Sequence, residues 1–146
     1  MSNSYDITWY DVDKMIEYIS NNIISSNFKP NFVAPIPKGG WTVASLLAQR
    51  LGIKNSVSLA QEKIDNIRNT YIAGFPNLKS ARILVIEDSI ETGNSLFDAE
   101  KTLVELGAYV KTVSLYISPN YNGKNPDFFF NKGVIPEFPW EINYNK

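Results

Sequence analysis

The sequence feature that most constrains the fold is an apolar run at residues 83–86 that leads directly into two acids, Glu87 and Asp88. A run of branched apolar residues without polar interruption is typical of a strand buried on both faces of a parallel sheet. Small and polar residues then form a turn, and residues 95–106 carry apolar side chains at helical spacing. The pattern therefore predicts a strand, a turn and a helix, with both acids at the carboxyl end of the strand.

Strand and helix patterns alternate along most of the chain. The first helix is predicted to begin after Thr8, which forms a capping-box variant with Asp11, and to run to about Ile24. Ile7 and Val12 flank this cap at the positions of a hydrophobic staple. Further strands are predicted at 32–36, 55–59 and 110–117, and a second helix at 41–51.

Strands that alternate with helices through short turns predict an α/β fold with a doubly wound, mainly parallel sheet. We expect residues 1–146 to form a single domain. Residues 60–80 are rich in charged residues, Asn, Gly and Pro with little periodicity, which predicts a long, mobile and functional loop. Ligands bind such sheets at the carboxyl ends of the strands, where the turns at 37–40 and 87–95 are predicted to lie.

The composition excludes several kinds of chemistry. The chain has no Cys and no His, so it offers no thiolate nucleophile, no cysteine-bound zinc and no imidazole base. A metal would then be a hard, oxygen-bound ion such as Mg²⁺. The formal net charge of −1 indicates no general attraction to nucleic acid or to a membrane surface. The lack of a long apolar run and the polar start of the chain favour a cytoplasmic protein.

The turn after the acidic pair has the properties of a phosphate site. The first turn of a helix presents free backbone N–H groups and the positive end of the helix dipole. Gly93 lets the backbone approach an anion closely, and the hydroxyls of Thr92 and Ser95 add donors. Glu87 and Asp88 would repel phosphate, but they suit ribose hydroxyls or a hydrated Mg²⁺. The pattern therefore indicates a sugar phosphate as the ligand.

Two other interpretations of the acidic pair fit less well. Acids at a strand end are often only a solvated turn, but Glu91, a Thr-Gly pair and a helix start follow closely here. A receiver domain also ends a strand with an acidic pair that binds Mg²⁺. That domain needs a phospho-accepting Asp at another strand end, and the predicted strands at 32–36 and 55–59 supply none.

Residues 83–95 resemble the phosphoribosyl-pyrophosphate (PRPP) signature of the type I phosphoribosyltransferases. Residues 31–52 are similar to the first strand, pyrophosphate loop and helix of the xanthine–guanine and hypoxanthine branch, as are residues 5–9 and 138–141. The resemblance implies a type I phosphoribosyltransferase-like sheet with a small hood formed by the terminal segments. It also implies transfer of the phosphoribosyl group of Mg²⁺·PRPP to a nucleobase, with a purine expected. We expect a homodimer or a higher homo-oligomer.

The same resemblance implies roles for residues of the PRPP half. Glu87 and Asp88 would hold the ribose and, largely through ligand and water, the Mg²⁺. A cis peptide bond is expected between Pro37 and Lys38. The catalytic residues would be Glu91, which acts on the proton of the acceptor, together with Lys38 and Arg68. The pyrophosphate would be bound by Pro37, Lys38, Gly39, Gly40 and Arg68, and the 5′-phosphate by Glu91, Thr92, Gly93, Asn94 and Ser95.

The acceptor half departs from the family's pattern. Glu91 stands where the purine enzymes usually carry Asp, Ser118 where they have a Lys for the 6-oxo group, and Ile135 where an aromatic residue stacks on the base. The resemblance places Ile90, Ser118, Ile135 and Glu137 around the acceptor. The aromatic run at 128–130 and Trp140 fit this hood or, more commonly, the core or a subunit interface.

Two other functions would fit the same fold. A regulator that senses PRPP or a nucleotide would keep the fold without turnover, and a basic face for nucleic acid would distinguish it. The charge balance gives no sign of such a face. A degenerate homologue would bind a nucleotide without catalysis, and the departures on the acceptor side leave room for one. The alternative to the enzyme is therefore a non-catalytic PRPP- or nucleotide-binding protein.

Overall fold

The computed structural model describes residues 5–74 and 77–141, so residues 75 and 76 of the predicted loop and 142–146 of the predicted hood lie outside the described residues. Among the described residues, no helix combines the length and the apolar character that crossing a membrane requires. The helices are α1 (Trp9–Ser25), α2 (Gly39–Leu51) and α3 (Asn94–Glu105). The strands are β1 (Phe32–Pro35), β2 (Asn55–Ser56), β3 (Ser58–Ile64), β4 (Ile67–Ala73), β5 (Arg82–Ile90), β6 (Tyr109–Ile117) and β7 (Phe128–Lys132).

Five strands form one parallel sheet in the order β2–β1–β5–β6–β7. The central strand, β5, divides its apolar residues between two cores. Leu84 and Ile86 pack with α1 and α2 in the first core, and Ile83 and Val85 pack with α3 in the second. Because successive side chains of a strand point to opposite faces, an uninterrupted apolar strand requires cover on both sides. This arrangement confirms the predicted α/β class and the doubly wound, mainly parallel sheet.

The start of α1 is fixed by the predicted capping box. The backbone N–H of Asp11 donates to the Thr8 hydroxyl oxygen at 3.2 Å, and the backbone N–H of Thr8 donates to the Asp11 carboxylate at 2.7 Å. Ile7 packs against the first core, which contains Val12, as the predicted staple requires. The cap therefore sets where α1 begins and turns its apolar face toward the sheet.

The prediction of a long mobile loop at 60–80 is wrong for most of that segment. Strands β3 and β4 pair as an antiparallel hairpin, in which Ile64 lies opposite Ile67. The intervening Asp65 and Asn66 have φ angles of 49° and 63°. Positive φ at both positions is what a tight hairpin turn needs, and Asp and Asn tolerate it better than most residues. Most residues of the hairpin are exposed or only partly buried, so its strands lack a clear apolar pattern.

Two further strand predictions need correction. The strand predicted at 55–59 is divided at Val57, whose N–H donates to the carbonyl oxygen of Val33 at 2.8 Å. β2 consequently pairs with β1 in the main sheet, while β3 turns away to pair with β4. The aromatic run at 128–130 belongs to β7, an edge strand of the sheet that was not predicted. Its side chains pack against both cores, which agrees with the interpretation of these aromatics as core residues.

Candidate active site

Two loops meet at the carboxyl edge of the sheet because β1 and β5 are neighbouring parallel strands. Their register places Pro35 opposite Ile86, and the N–H of Ile36 donates to the carbonyl oxygen of Ile86 at 2.8 Å. The loop after β1 therefore lies beside the acidic pair at the end of β5. The structure brings together the two turns that the sequence predicted to share this edge.

The loop before α2 approaches β5 so closely that only glycine fits at two positions. A Cβ atom on Gly39 would overlap the Asp88 carboxylate, and one on Gly40 would overlap the carbonyl oxygen of Ile86. Gly39 is also the first residue of α2, and the residue before it forms no side-chain cap. An uncapped helix N-terminus that attracts anions is thus held directly beside Asp88.

Lys38 lies exposed at the head of α2, after a cis peptide bond that joins it to Pro37 as predicted. It faces a cavity of about 500 Å³ that also contains Asp88. An ammonium group beside an uncapped helix N-terminus makes this cavity suitable for a multiply charged anion. The cavity is lined by Lys38, Gly39, Trp41, Thr42, Asp88, Trp140 and Glu141.

Glu87 lies in an environment that disfavours its charged form. Burial raises the pKa of Glu87 to about 7, repulsion from Asp88 and Glu91 adds to this, and the Arg68 charge opposes it. A divalent cation beside Glu87 would relieve this repulsion, and Mg²⁺ prefers carboxylate oxygens as ligands. Among the described residues, no group of three or more His, Cys, Asp or Glu could hold a metal by itself. Glu87 and Asp88 therefore offer carboxylate oxygens that suit part of a Mg²⁺ coordination shell, and the other ligands would have to come from elsewhere.

The turn after β5 forms a polar cavity of about 260 Å³ in front of α3. Gly93 has a φ of 79° and precedes the first turn of α3, which contains no acidic residue and no side-chain cap. The N–H of Asn94 donates to the Thr92 hydroxyl oxygen at 3.3 Å and so supports the turn. The predicted phosphate-binding residues other than Asn94 line one cavity, whose full lining is Glu87, Asp88, Ser89, Glu91, Thr92, Gly93 and Ser95.

The β3–β4 hairpin lies against the phosphate turn through contacts that sequence reasoning missed. The Gln61 amide nitrogen donates to the carbonyl oxygen of Ser95 at 2.9 Å. Arg68, on the facing strand, places its Nε 3.4 Å from the Asp98 carboxylate, and its charge also reaches Glu87. The hairpin therefore brings the predicted cation, Arg68, to the acidic side of the site. The only available signal was the Asp-Asn turn pair between two weakly alternating segments.

The residues predicted for the acceptor lie in two separate segments. The N–H of Ser118 donates to the carbonyl oxygen of Ile90 at 2.8 Å, which joins the ends of β5 and β6. The Ile90 side chain itself is buried in the second core. Ile135 packs against the first core, and the N–H of Glu137 donates to the carbonyl oxygen of Tyr5 at 2.9 Å. The structure thus brings Ile90 and Ser118 together and places Ile135 and Glu137 in the C-terminal segment.

Trp140 makes a contact with the acidic pair that sequence reasoning also missed. Its indole Nε1 donates to Oδ2 of Asp88 at 3.2 Å. Glu141, beside it, lines the same cavity, and burial raises the pKa of this carboxyl group. The two partners are 52 residues apart, so no local pattern could reveal the bond.

Comparisons with known proteins agree with this geometry. The chain is 39% identical over 72 residues to the orotate phosphoribosyltransferase of Helicobacter pylori (strain HPAG1), a match that spans 49% of this chain and only 34% of that enzyme. The purine phosphoribosyltransferase of Pyrococcus horikoshii has a similar structure, with a TM-score of 0.85 at 23% identity over 98% of this chain and 97% of that one. The xanthine-guanine-hypoxanthine phosphoribosyltransferase of Helicobacter pylori gives a TM-score of 0.77 at 17% identity over 96% and 95% of the two chains.

These structural matches show a shared fold, and the sequence itself shows the family. A family model described as the phosphoribosyl transferase domain matches residues 8–144, which is nearly the whole chain. The match includes the acidic pair, the phosphate turn and the loop before α2. The chain therefore belongs to the phosphoribosyltransferase family, as the resemblance of its signature segment predicted.

Proposed function

We propose that the protein transfers the phosphoribosyl group of Mg²⁺·PRPP to a nucleobase, with a purine as the expected acceptor, and releases pyrophosphate. One observation carries the proposal: two uncapped helix N-termini, those of α2 and α3, open into cavities that share Asp88. PRPP has the matching order of groups, with a pyrophosphate and a 5′-phosphate on either side of a ribose diol. Helix N-termini suit the two phosphate ends, and carboxylates suit the hydroxyls between them.

In the proposed complex, each part of PRPP is bound by a different structural element. The turn at 91–95 binds the 5′-phosphate, and Glu87 and Asp88 accept hydrogen bonds from the ribose hydroxyls. Lys38 and the loop before α2 bind the pyrophosphate. The β3–β4 hairpin adds Arg68 and contacts the phosphate turn through Gln61.

In the reaction, the bond between ribose C1 and a pyrophosphate oxygen breaks, and its electron pair leaves with the pyrophosphate. A ring nitrogen of the base forms the new bond to C1 and loses its proton, which Glu91 accepts. Lys38 and Arg68 stabilise the negative charge of the departing pyrophosphate. Glu87 and Asp88 would hold Mg²⁺, which supplies further charge neutralisation at the pyrophosphate.

The direct test is a screen of purine and pyrimidine bases with Mg²⁺ and PRPP that measures pyrophosphate release. We expect release with at least one base, and a loss of roughly tenfold or more in kcat/KM for Asp88→Asn because a charged hydrogen-bond partner is removed. Asp13→Asn is the matched control, since Asp13 only pairs with Arg50 on the surface. Calorimetric PRPP binding without release for any base would favour the non-catalytic alternative. Absence of PRPP binding would refute the proposed transferase, and absence of both PRPP and nucleotide binding would refute the non-catalytic alternative as well.

A further inference from the structure

The C-terminal segment reaches the proposed ribose site through one side chain. Trp140 donates its indole N–H to Oδ2 of Asp88 at 3.2 Å. A Trp side chain has only this one donor, so its hydrogen-bonding capacity is committed to Asp88. The other oxygen, Oδ1, has a longer contact of 3.4 Å with the Ser89 hydroxyl. Trp140 thus makes the shorter of these two contacts to the carboxylate.

The Trp140 ring is itself held by the core. It stacks on Phe138 with ring centroids 4.7 Å apart and planes inclined by 6°, and Phe138 is only 1% exposed. The Trp9 ring lies 5.9 Å away on α1. A donor on a ring that is fixed in this way restricts the rotation of the carboxylate that it contacts.

The bond lies at the surface of the site rather than inside the core. Trp140 and Asp88 both line the cavity of about 500 Å³ that contains Lys38. Asp88 is also pressed against Gly39, so its carboxylate lies between the head of α2 and the indole. Any ligand that uses Asp88 therefore meets a carboxylate whose Oδ2 is already directed by Trp140.

We propose that Trp140 is a positioning residue, whose indole N–H orients the Asp88 carboxylate so that its remaining lone pairs face the ribose hydroxyls and Mg²⁺ of PRPP. This inference rests on the proposed function. It goes beyond that function because it links PRPP binding to the segment that carries Ile135 and Glu137, on the acceptor side. The orientation of Asp88 thereby depends on the packing of the C-terminal segment.

The first test is the affinity of Mg²⁺·PRPP for Trp140→Phe, measured by titration calorimetry. Phe keeps an aromatic ring to stack on Phe138 and removes the N–H. We expect the Kd to rise about tenfold, as for the loss of a charged hydrogen bond. Trp9→Phe is the matched control and should bind like the wild type, because it makes the same exchange in the same aromatic cluster and leaves the Trp140–Asp88 bond in place. An unchanged Kd for Trp140→Phe would overturn the proposal.

The second test follows the contact between Trp140 and Asp88 directly, first without ligand and then with Mg²⁺·PRPP. The protein has three Trp residues, so their indole N–H signals can be assigned by NMR from single Trp→Phe variants. The Trp140 signal should shift in Asp88→Ala, and it should also shift when Mg²⁺·PRPP is added to the wild type, while the Trp9 signal changes little in both cases. A Trp140 signal that is the same in wild type and Asp88→Ala would refute the positioning role. If the wild type does not bind Mg²⁺·PRPP but the Asp88→Ala shift is present, the proposed function fails while the contact stands.

Discussion

Gln61 donates a hydrogen bond of 2.9 Å from its side-chain nitrogen to the carbonyl oxygen of Ser95, and so ties the β3–β4 hairpin to the first turn of α3. The same nitrogen lies 3.2 Å from the Thr70 hydroxyl across the hairpin. Ser95 lines the phosphate cavity, and Arg68 is two residues before Thr70. The strand that carries Arg68 is therefore joined to the phosphate turn by an uncharged side chain that is outside the predicted site.

Gln61→Ala should loosen the hairpin without unfolding the protein. We expect faster hydrogen–deuterium exchange of the amides in β3 and β4, and a fall in kcat/KM of about fivefold, the effect of losing roughly 1 kcal/mol of hydrogen bonding. Arg68→Ala should lower kcat/KM further, about tenfold or more, because it removes the charge itself. The exposed Gln49 provides the control Gln49→Ala, with no change expected. Unchanged kcat/KM for Arg68→Ala would show that the hairpin contributes no pyrophosphate contact.

Glu87 should make the stability of the ligand-free protein depend on pH. Its pKa is raised from 4.5 to about 7, mainly by burial, so the folded state binds a proton more tightly than the unfolded chain between these values. The free energy of unfolding should therefore decrease as pH rises through this range. Glu87→Gln should be close to wild type near pH 4.5 and more stable at pH 8, by up to about 3 kcal/mol.

Urea denaturation at these two pH values, with EDTA present, checks this expectation. Glu17→Gln, on the solvent-facing side of α1, is the control and should retain the pH dependence of the wild type. A Glu87→Gln protein that loses as much stability between the two pH values as the wild type would show that another group causes the slope. Addition of PRPP together with excess Mg²⁺ should raise the stability of the wild type at pH 8 more than that of Glu87→Gln.

Gly39→Ala should damage PRPP binding more than it damages the fold. The added Cβ would overlap the Asp88 carboxylate, so either Asp88 or the loop before α2 must move. Overpacking of this kind costs about 1–3 kcal/mol, which corresponds to roughly tenfold or more in the Kd of Mg²⁺·PRPP. At Gly133 the added methyl would lie 3.7 Å from the nearest side-chain atom, of Asn131, so Gly133→Ala is the control. Equal PRPP affinity for the two variants would argue against a close contact between the loop before α2 and Asp88.

Ser118→Lys should improve the use of 6-oxopurines. Ser118 follows β6 and is half-buried, and the sequence resemblance implies that it stands where purine enzymes of the family carry a cation for the 6-oxo group. We expect weak turnover of hypoxanthine and guanine by the wild type, and a gain of about tenfold in kcat/KM with Lys, the effect of a charged hydrogen bond. Ser45→Lys adds the same charge at an exposed position of α2 and should give no gain. Efficient turnover by the wild type, with no improvement in Ser118→Lys, would mean that residues other than Ser118 recognise the base.

Local patterns were sufficient to predict the parallel sheet and to place the acidic pair and the turn after it at the carboxyl edge of that sheet. The apolar run of β5 is buried on both faces of the sheet. Glu87 and Asp88 follow this run directly, so one continuous segment predicts both the central strand and the acidic pair at its carboxyl end. The capping box of Thr8 likewise involves residues only three positions apart. Such signals are readable because the atoms that interact are close in sequence.

The unpredicted features depend on contacts between distant segments. Much of both strands of the β3–β4 hairpin is exposed to solvent. Because few of their side chains are buried, the sequence lacks the alternation of apolar and polar residues that predicts a strand. β7 is recognisable as a strand only from its pairing with β6. The hydrogen bond from Gln61 to Ser95 spans 34 residues, and the one from Trp140 to Asp88 spans 52. The identity of a Gln or Trp residue does not indicate which distant residue it will contact.

The position of the acidic pair at the end of the central strand limits which residues can be changed to alter the choice of acceptor. β5 is hydrogen-bonded on both edges, to β1 and to β6, so displacement of Glu87 would disturb most of the sheet. Ser118 follows a strand end, and Ile135 and Glu137 lie beyond the edge strand β7. Under the proposed function, a mutational library at Ser118 would vary the acceptor side without moving the acidic pair, whereas changes at Ile135 or Glu137 would also reach Asp88 through the C-terminal segment and Trp140. If the proposed function holds, Ser118 is therefore the position at which laboratory evolution can change the nucleobase while the phosphoribosyl donor stays the same.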